Sequence, residues 1–521
     1  MKEIKNNSIK KSYRLWVYIA STIILFIIVF AYIFNSKLDL NGDNCEYYLM
    51  ATSIAGGHGY SDITNEAYNP VNGFPPGYPL LMSVIRIFTD SFFFQKILNG
   101  LFLLTSLLLL FFFIRKNKLP DSLAFVAIVI ALLNSRVLHF ATIMMSETSF
   151  FLFSALSLFF LSKMNDEKPF WKDRYFYFAI LATAYCYHIR TQGIALAVAI
   201  IGFFLFTKRW KQTLAFAGGF VVCLIPWIVR NKIQNLGQSR YLDMVAIANP
   251  WRPEEGALSI GEVVTRFLDT FKMLLTQAVP NSILPYFSVD YSSSTTWSGW
   301  LIAIILVFII GIGMWQFGKY KYVLLFYTLA TFGVISLFST PSENRYITAL
   351  LPFLEISLIA GIYTLCCWSV RRLKIAKTVS PWLFILLAFF SFPRLNQLRA
   401  QNTMPVPSNY RHFFTIAKAV HKQLPANTVV CSRKPSLFYM YSQSPVCNYL
   451  WTTDNEALIK NLIQSKVDYV VLEQLGYSST YLYLYPAIQN HPELFIPVIS
   501  LKKPDTYLLK FDRKKAIEKF Q

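Results

Sequence analysis

Long apolar runs separated by short polar stretches fill the first 393 residues. A bilayer core of about 30 Å takes about 20 helical residues at 1.5 Å each. On that measure eleven runs read as spans: about 13–34, 91–114, 120–138, 147–162, 174–190, 193–207, 212–230, 298–317, 321–338, 347–368 and 380–393. The first is expected to stay in place rather than be cleaved as a signal peptide. It is too long for one, and no small-residue cleavage site follows it. Three long segments, 35–90, 231–297 and 394–521, fall between or after the runs.

Inside those segments the pattern changes. Asp43–Ala55 reads as a helix stopped by Gly56-Gly57, with Tyr47, Met50, Ala51 and Ile54 on one face. Ile260, Val263, Phe267, Phe271 and Leu274 recur at helical spacing, with charged residues between them. Each of these two helices fits the membrane surface and packing against other protein equally well. Residues 394–521 alternate. A helix with Phe413, Ala417 and Val420 precedes Pro425, followed by a strand at Thr428–Cys431 and a helix at Asp454–Gln464. Strands follow at Val467–Leu472, Phe495–Leu501 and Thr506–Phe511. Such alternation predicts a small α/β domain. It has no glycine-rich phosphate loop. The expected organisation is a membrane domain over 1–393, with outside loops 35–90 and 231–297, and an α/β domain over 394–521.

Composition excludes a string of soluble domains. Apolar residues make up 55% and charged residues 15%, against about 25% charge in soluble chains. The net charge of +21 raises nucleic acid, an anionic membrane surface or an acidic substrate as partners. Position decides among them. Lys2, Lys5, Lys10, Lys11 and Arg14 precede the first run, and every second short loop is then basic: Arg115 to Lys118, Lys163 to Arg174, Lys208 to Lys211, Lys319 with Lys321, and Arg371 to Lys377. The alternate short loops hold single cations, Arg136, Arg190 and Arg345. By the positive-inside rule this predicts a polytopic α-helical protein of the cell membrane with its N-terminus inside and residues 394–521 extracytoplasmic. It removes the case for nucleic acid. Cys431 and Cys447 lie together in the outside domain, where a disulfide is one option. No spacing of His, Cys, Asp and Glu suggests a metal cage, and a divalent metal stays open.

Ionisable residues at membrane depth cost about 2.5–3.5 kcal/mol each at the centre of a span and mark function. Here they cluster at one level. Asp43, Lys96, Arg136, His139, Glu147, His188, Arg190, Arg230 and Arg345 all fall at the outer ends of runs, and Glu355 alone sits deeper. A ring of mixed carboxylates and cations there suits a reaction on an anionic lipid: arginine grips phosphate with a fixed fork, and a carboxylate can take the proton of an attacking hydroxyl. Each residue taken singly also reads as an interfacial anchor or a local ion pair.

The first outside loop carries the densest pattern. It reads Gly42-Asp43-Asn44-Cys45-Glu46-Tyr47-Tyr48, then Gly56-Gly57-His58-Gly59-Tyr60, then Phe74-Pro75-Pro76-Gly77-Tyr78-Pro79. With Ser146-Glu147-Thr148, Arg190 and Gly193, Arg345-Tyr346 and Leu351-Pro352, this resembles the polyprenyl-phosphate-sugar glycosyltransferases of the GT-C fold, the clan of protein O-mannosyltransferases and the lipid A aminoarabinose transferase. The resemblance covers about residues 10–370. One departure stands out: many members pair two acids in this loop, and here Asn44 follows Asp43, so any role of the second acid is either lost or taken over by Glu46.

The resemblance implies a sugar donor on a polyprenyl phosphate in the outer leaflet and a lipid, glycan or protein acceptor. Asp43 would be the general base and inversion the stereochemical outcome. Arg345, with Arg190 or Lys96, would stabilise the departing phosphate. Glu147 would bind sugar hydroxyls, hold an arginine or help bind a metal. Tyr47, Tyr48, Tyr60, Tyr78, Glu46 and His139 would line the sugar and acceptor site, with an interfacial aromatic belt as the other reading of the tyrosines. The competing classes are a transporter or flippase of an anionic lipid or lipid-linked sugar, and a scaffold recruiting partners through its tail. Transporters favour inverted repeats and mid-membrane sites, and neither is visible here. A scaffold leaves Asp43, Glu147 and Arg345 unexplained.

Overall fold

The structure, a computed structural model, describes residues 2–40, 42–65, 67–117, 119–237, 244–284, 294–338 and 344–520. All eleven apolar runs fold helically, but they differ in length. Tyr13–Ile33, Phe92–Lys116, Trp210–Ile233, Trp297–Trp315 and Leu351–Arg372 are long and apolar enough to cross a membrane. Glu147–Lys163, Arg174–Ile189, Ile194–Phe206 and Lys321–Ser336 are shorter. The outward faces of the long helices carry exposed Ile24, Ile28, Val221, Val222, Ile304 and Phe308. Exposed apolar side chains on long apolar helices are what lipid tails cover.

Two runs depart from straight spans. The run over 120–138 breaks into Asp121–Leu132 and Ser135–Ala141, bent by 67°. The cause is Asn134, whose side-chain oxygen accepts from the amides of Arg136 and Val137 and caps a new helix. The run over 380–393 is a tighter 3-10 helix, Pro381–Ser391, that relaxes into the α-helix Phe392–Thr403. The stretch 174–207 divides at the short turn Thr191–Gly193. A Cβ at Gly193 would sit 2.5 Å from the Tyr187 amide nitrogen, so only glycine lets this turn close against the preceding helix.

The two helices that fit either the membrane surface or packing against protein behave differently. Asn44–Ala55 buries Cys45, Tyr47, Tyr48, Leu49 and Ala51 and packs inside the protein. Ile260–Met273 begins with a capping box between Ser259 and Glu262. Phe271 meets Phe332, whereas Ile260, Val264 and Leu268 form an uncovered apolar face.

The tail contains a five-stranded mixed sheet. Its strands are β1 (Val430–Cys431), β2 (Val446–Cys447), β3 (Tyr469–Leu472), β4 (Phe495–Leu501) and β5 (Thr506–Phe511), in the order β2-β1-β3-β5-β4. β1 runs parallel to β2 and β3, and β5 is antiparallel to β3 and β4. Pro497 sits beside a bulge in the edge strand β4, where its missing amide costs no ladder bond. Cys431 and Cys447 are direct partners in register and both are free thiols. β2 and the helix Pro435–Ser442 were not legible in the sequence. The tail docks on the first loop: Lys434 Nζ donates to the Leu40 carbonyl at 2.8 Å, and the Val446 amide to the Thr64 carbonyl at 2.9 Å.

Candidate active site

Four elements far apart in sequence deliver charged side chains to one place. Asp43 caps the helix Asn44–Ala55, yet its side chain makes no capping bond. An aspartate at this position usually turns back onto the first-turn amides; here it points to Arg345. Glu147 is the first residue of Glu147–Lys163 and is 2% exposed. Arg190 ends Arg174–Ile189, just before the tight turn at Gly193. Arg345 lies in the short turn Asn344–Ile347 ahead of Leu351–Arg372.

These four form one chain of charge. Arg345 Nη2 meets Asp43 Oδ2 at 2.7 Å, and Arg345 Nε meets Glu147 Oε1 at 2.5 Å. Arg190 Nη1 meets the same Glu147 oxygen at 2.8 Å. Two carboxylates and two guanidiniums balance, which is how charges persist where water is scarce. Arg190 Nη1 also donates to Ser146 Oγ at 3.0 Å, and the Tyr47 hydroxyl lies 3.3 Å from that same oxygen. The Tyr346 ring lies under the Arg190 guanidinium, 5.4 Å away. Glu147 therefore holds both arginines with one oxygen. Its Oε2 has no hydrogen-bond partner among the described residues.

The Pro-Pro-Gly-Tyr-Pro segment explains how the first loop reaches this cluster. A Cβ at Gly77 would lie 2.7 Å from the His188 carbonyl group, and the Tyr185 hydroxyl donates to the Gly77 carbonyl at 2.9 Å. The loop thus seats directly on the end of the helix that carries Arg190. Tyr78, fully buried, donates to Asn99 Oδ1 at 3.1 Å and packs edge-on to Tyr47 at 5.0 Å.

The remaining sequence candidates lie as follows. Lys96 is wholly enclosed and spends its ammonium elsewhere, on Asp39 at 3.1 Å, Asn35 Oδ1 at 3.2 Å and the Lys37 carbonyl at 2.5 Å. It pins the chain that leaves the first helix rather than joining the arginines. Tyr48 donates to the Asp90 carbonyl at 2.8 Å under the Arg86 guanidinium. Tyr60 donates to the Phe74 carbonyl at 3.0 Å, and Arg230 grips the carbonyls of Tyr60 and Val71, each at 2.7 Å. These three side chains brace the loop. His188 contacts the Cys223 carbonyl at 3.0 Å. Glu46 is half-buried on the helix that Asp43 caps.

His139 and Arg136 line a cavity of about 1030 Å³ that opens beside Gly42 and Arg345 and is walled lower down by Ile130, Leu358 and Phe390. Asn134, Glu355 and Arg394 also line it. Asn134 and Arg394 join the site only through the fold. The signal for Asn134 was present: an amide in the middle of an apolar run. Among the described residues no three His, Cys, Asp or Glu side chains converge as a metal site.

Comparison with known proteins adds the following. Residues 66–241 match the family model of dolichyl-phosphate-mannose-protein mannosyltransferases. No curated protein matches the chain. The crystal structure of ArnT from Cupriavidus metallidurans in the apo state aligns with a TM-score of 0.62 at 13% identity, covering 96% of this chain and 98% of that one. The same protein bound to undecaprenyl phosphate aligns at 0.60 and 12% identity, with the same coverage. The Archaeoglobus fulgidus oligosaccharyltransferase, tethered to an acceptor peptide, aligns at 0.56 and 11% identity, covering 96% of this chain and 74% of that one. At these identities the likeness to the solved structures is one of fold.

Proposed function

We propose that this chain is a membrane glycosyltransferase that moves a sugar from a polyprenyl-phosphate donor to an acceptor hydroxyl on the extracytoplasmic side; the GT-C fold it shares with ArnT and the family match over residues 66–241 support this reading. The observation that carries this reading is the chain Asp43–Arg345–Glu147–Arg190, with contacts of 2.7, 2.5 and 2.8 Å. The structure of ArnT with undecaprenyl phosphate supports the choice of donor lipid.

In the arrangement described, Asp43 is occupied by Arg345. An incoming donor phosphate competes for the same guanidinium, because both are anions that fit its fork. Binding of the phosphate by Arg345 and Arg190 frees Asp43 to accept a proton. The acceptor oxygen then attacks the anomeric carbon and passes its proton to Asp43. The carbon–oxygen bond to phosphate breaks on the opposite face, and the electron pair leaves with the polyprenyl phosphate. The anomeric centre inverts. A positioned base of this kind contributes about 10²–10⁴-fold. Glu147 keeps the two arginines together and aimed. Preorganised cations at a growing charge are often the largest single contribution to catalysis. Tyr47, beside Ser146, borders the place where the sugar would lie. The N-terminus is cytoplasmic in this reading, and the sheet-bearing tail, docked on the first loop through Lys434 and Val446, is outside.

The test is purified protein with a panel of polyprenyl-phosphate sugars and envelope lipid, glycan and peptide acceptors. Release of free polyprenyl phosphate coupled to a glycosylated acceptor is the expected result. Lipid movement across liposomes without any bond cleavage would overturn the reading in favour of a flippase.

A further inference from the structure

The cavity beside Arg345 carries the same gradient on three walls. One wall runs from Ile130 and Leu133 through Asn134 to Arg136 and His139. A second runs from Ile362 and Leu358 through Glu355 toward Arg345. The third runs from Leu387 and Phe390 to Arg394 and Gln401. The apolar floor and cationic mouth match an anionic lipid. The waist between them is the unusual part.

At the waist, Asn134 is locked. Its side-chain oxygen accepts from the amides of Arg136 and Val137, so its nitrogen is the side that faces Glu355. That nitrogen donates to the Ser282 carbonyl at 2.9 Å and to Glu355 Oε1 at 2.7 Å. Glu355 is 3% exposed, lines the cavity, and leaves Oε2 without a hydrogen-bond partner among the described residues. A buried carboxyl oxygen left unanswered is costly unless a ligand answers it.

Depth then selects the ligand. Glu355 lies four residues into the helix that opens at Leu351, about 6 Å along its axis, below the turn carrying Arg345. At that distance beneath its phosphate a polyprenyl phosphate offers only hydrocarbon. A lipid built on a polyol backbone offers a hydroxyl there. A hydroxyl both donates and accepts, so it can pair with Oε2 whatever the carboxyl's protonation.

We infer that this cavity seats a second lipid, an anionic amphiphile with a hydroxyl between its charged head and its chain, and that the Asn134–Glu355 pair reads that hydroxyl. The inference rests on the glycosyl-transfer reading and deepens it by naming the chemical class of the acceptor. Glu355 acts as a specificity-determining residue and takes no part in bond breaking.

The probes are two synthetic lipids with one chain and one phosphate: hexadecyl phosphate, and 1-O-hexadecyl-glycero-3-phosphate, which adds the glycerol hydroxyl. Binding to detergent-purified full-length protein is measured for the wild type, Glu355→Gln and Glu355→Leu, together with undecaprenyl phosphate as a third ligand. The wild type should prefer the glycerol lipid at least tenfold. Glu355→Leu should abolish that preference, Glu355→Gln should keep part of it, and undecaprenyl phosphate should bind all three proteins alike. Equal affinity of the wild type for the two probes would overturn the inference. So would a parallel loss of undecaprenyl phosphate binding in Glu355→Leu, which would make the cavity the seat of the donor chain. Failure of the glycosyl-transfer reading shows separately, as no polyprenyl phosphate release by the wild type.

Discussion

Arg345 and Glu147 lie 198 positions apart in the chain, yet Nε of one meets Oε1 of the other at 2.5 Å. The same Glu147 oxygen takes Arg190 at 2.8 Å. One buried carboxylate thus fixes two cations that arrive from different helices. Truncating it as Glu147→Ala leaves two guanidiniums facing each other with Asp43, on Arg345, as the one remaining carboxylate of the four-residue cluster. Removing one partner of a buried pair costs about 3–5 kcal/mol. Thermal unfolding of the purified variant should show a lowered midpoint, and donor KM should rise. Unaltered stability and kinetics would mean that the cluster is not held by this contact.

Arg345 makes a fork that a lysine cannot reproduce. Nε and Nη2 reach two different carboxylates at once, and an ammonium is a single point charge. Arg345→Lys should therefore keep the charge but lose most transfer, with donor KM raised at least tenfold. A lysine variant as active as the wild type would reduce the arginine's role to charge alone.

Gly77 is a geometric requirement of the first loop. A methyl group there would lie 2.7 Å from the His188 carbonyl. Gly77→Ala should displace the loop from the helix that carries Arg190, and shifts of about 1 Å can cost about 10²-fold in rate. Turnover measured on correctly inserted protein should fall, while Gly218→Ala, where a Cβ meets nothing within 4 Å, should behave like the wild type.

The orientation can be read with thiol chemistry. Lys502→Cys, between β4 and β5 with a side chain 64% exposed, should react with a membrane-impermeant maleimide added to intact spheroplasts. Lys211→Cys, exposed in the first turn of Trp210–Ile233 at the end of one of the basic stretches, should react only after permeabilisation. Labelling in the reverse order would overturn the assignment of the tail to the outside.

Much of the architecture was legible because its causes are local. Apolar runs of helical length, the Asp454 cap whose side chain accepts from the amides of Glu456 and Ala457, and the short apolar runs of β4 and β5 depend on residues close in sequence. The runs that departed did so for reasons that sequence shows only faintly. Asn134 broke one of them by capping, and the run over 380–393 wound into the tighter 3-10 helix Pro381–Ser391. The candidate site was legible as a set of residue types at one membrane level. Its pairing was not, since the meeting of Arg345 with Glu147 depends on how four helices assemble. Lys96 shows the same limit: a cation at the expected depth, drawn to Asp39 by a contact no spacing rule foresees. Asp39 itself lies just ahead of the motif and carried no signal of its own.

The central claim is that Asp43 takes the acceptor's proton once donor phosphate has displaced it from Arg345. Asp43→Asn keeps the shape, removes the base and breaks the ion pair. Its single-turnover rate, measured with saturating polyprenyl-phosphate sugar and compared with the wild type beside a separate donor-binding measurement, tests this most directly. The account predicts transfer slowed by about 10²–10⁴-fold, with donor binding unchanged or tighter. Transfer at the wild-type rate would contradict it.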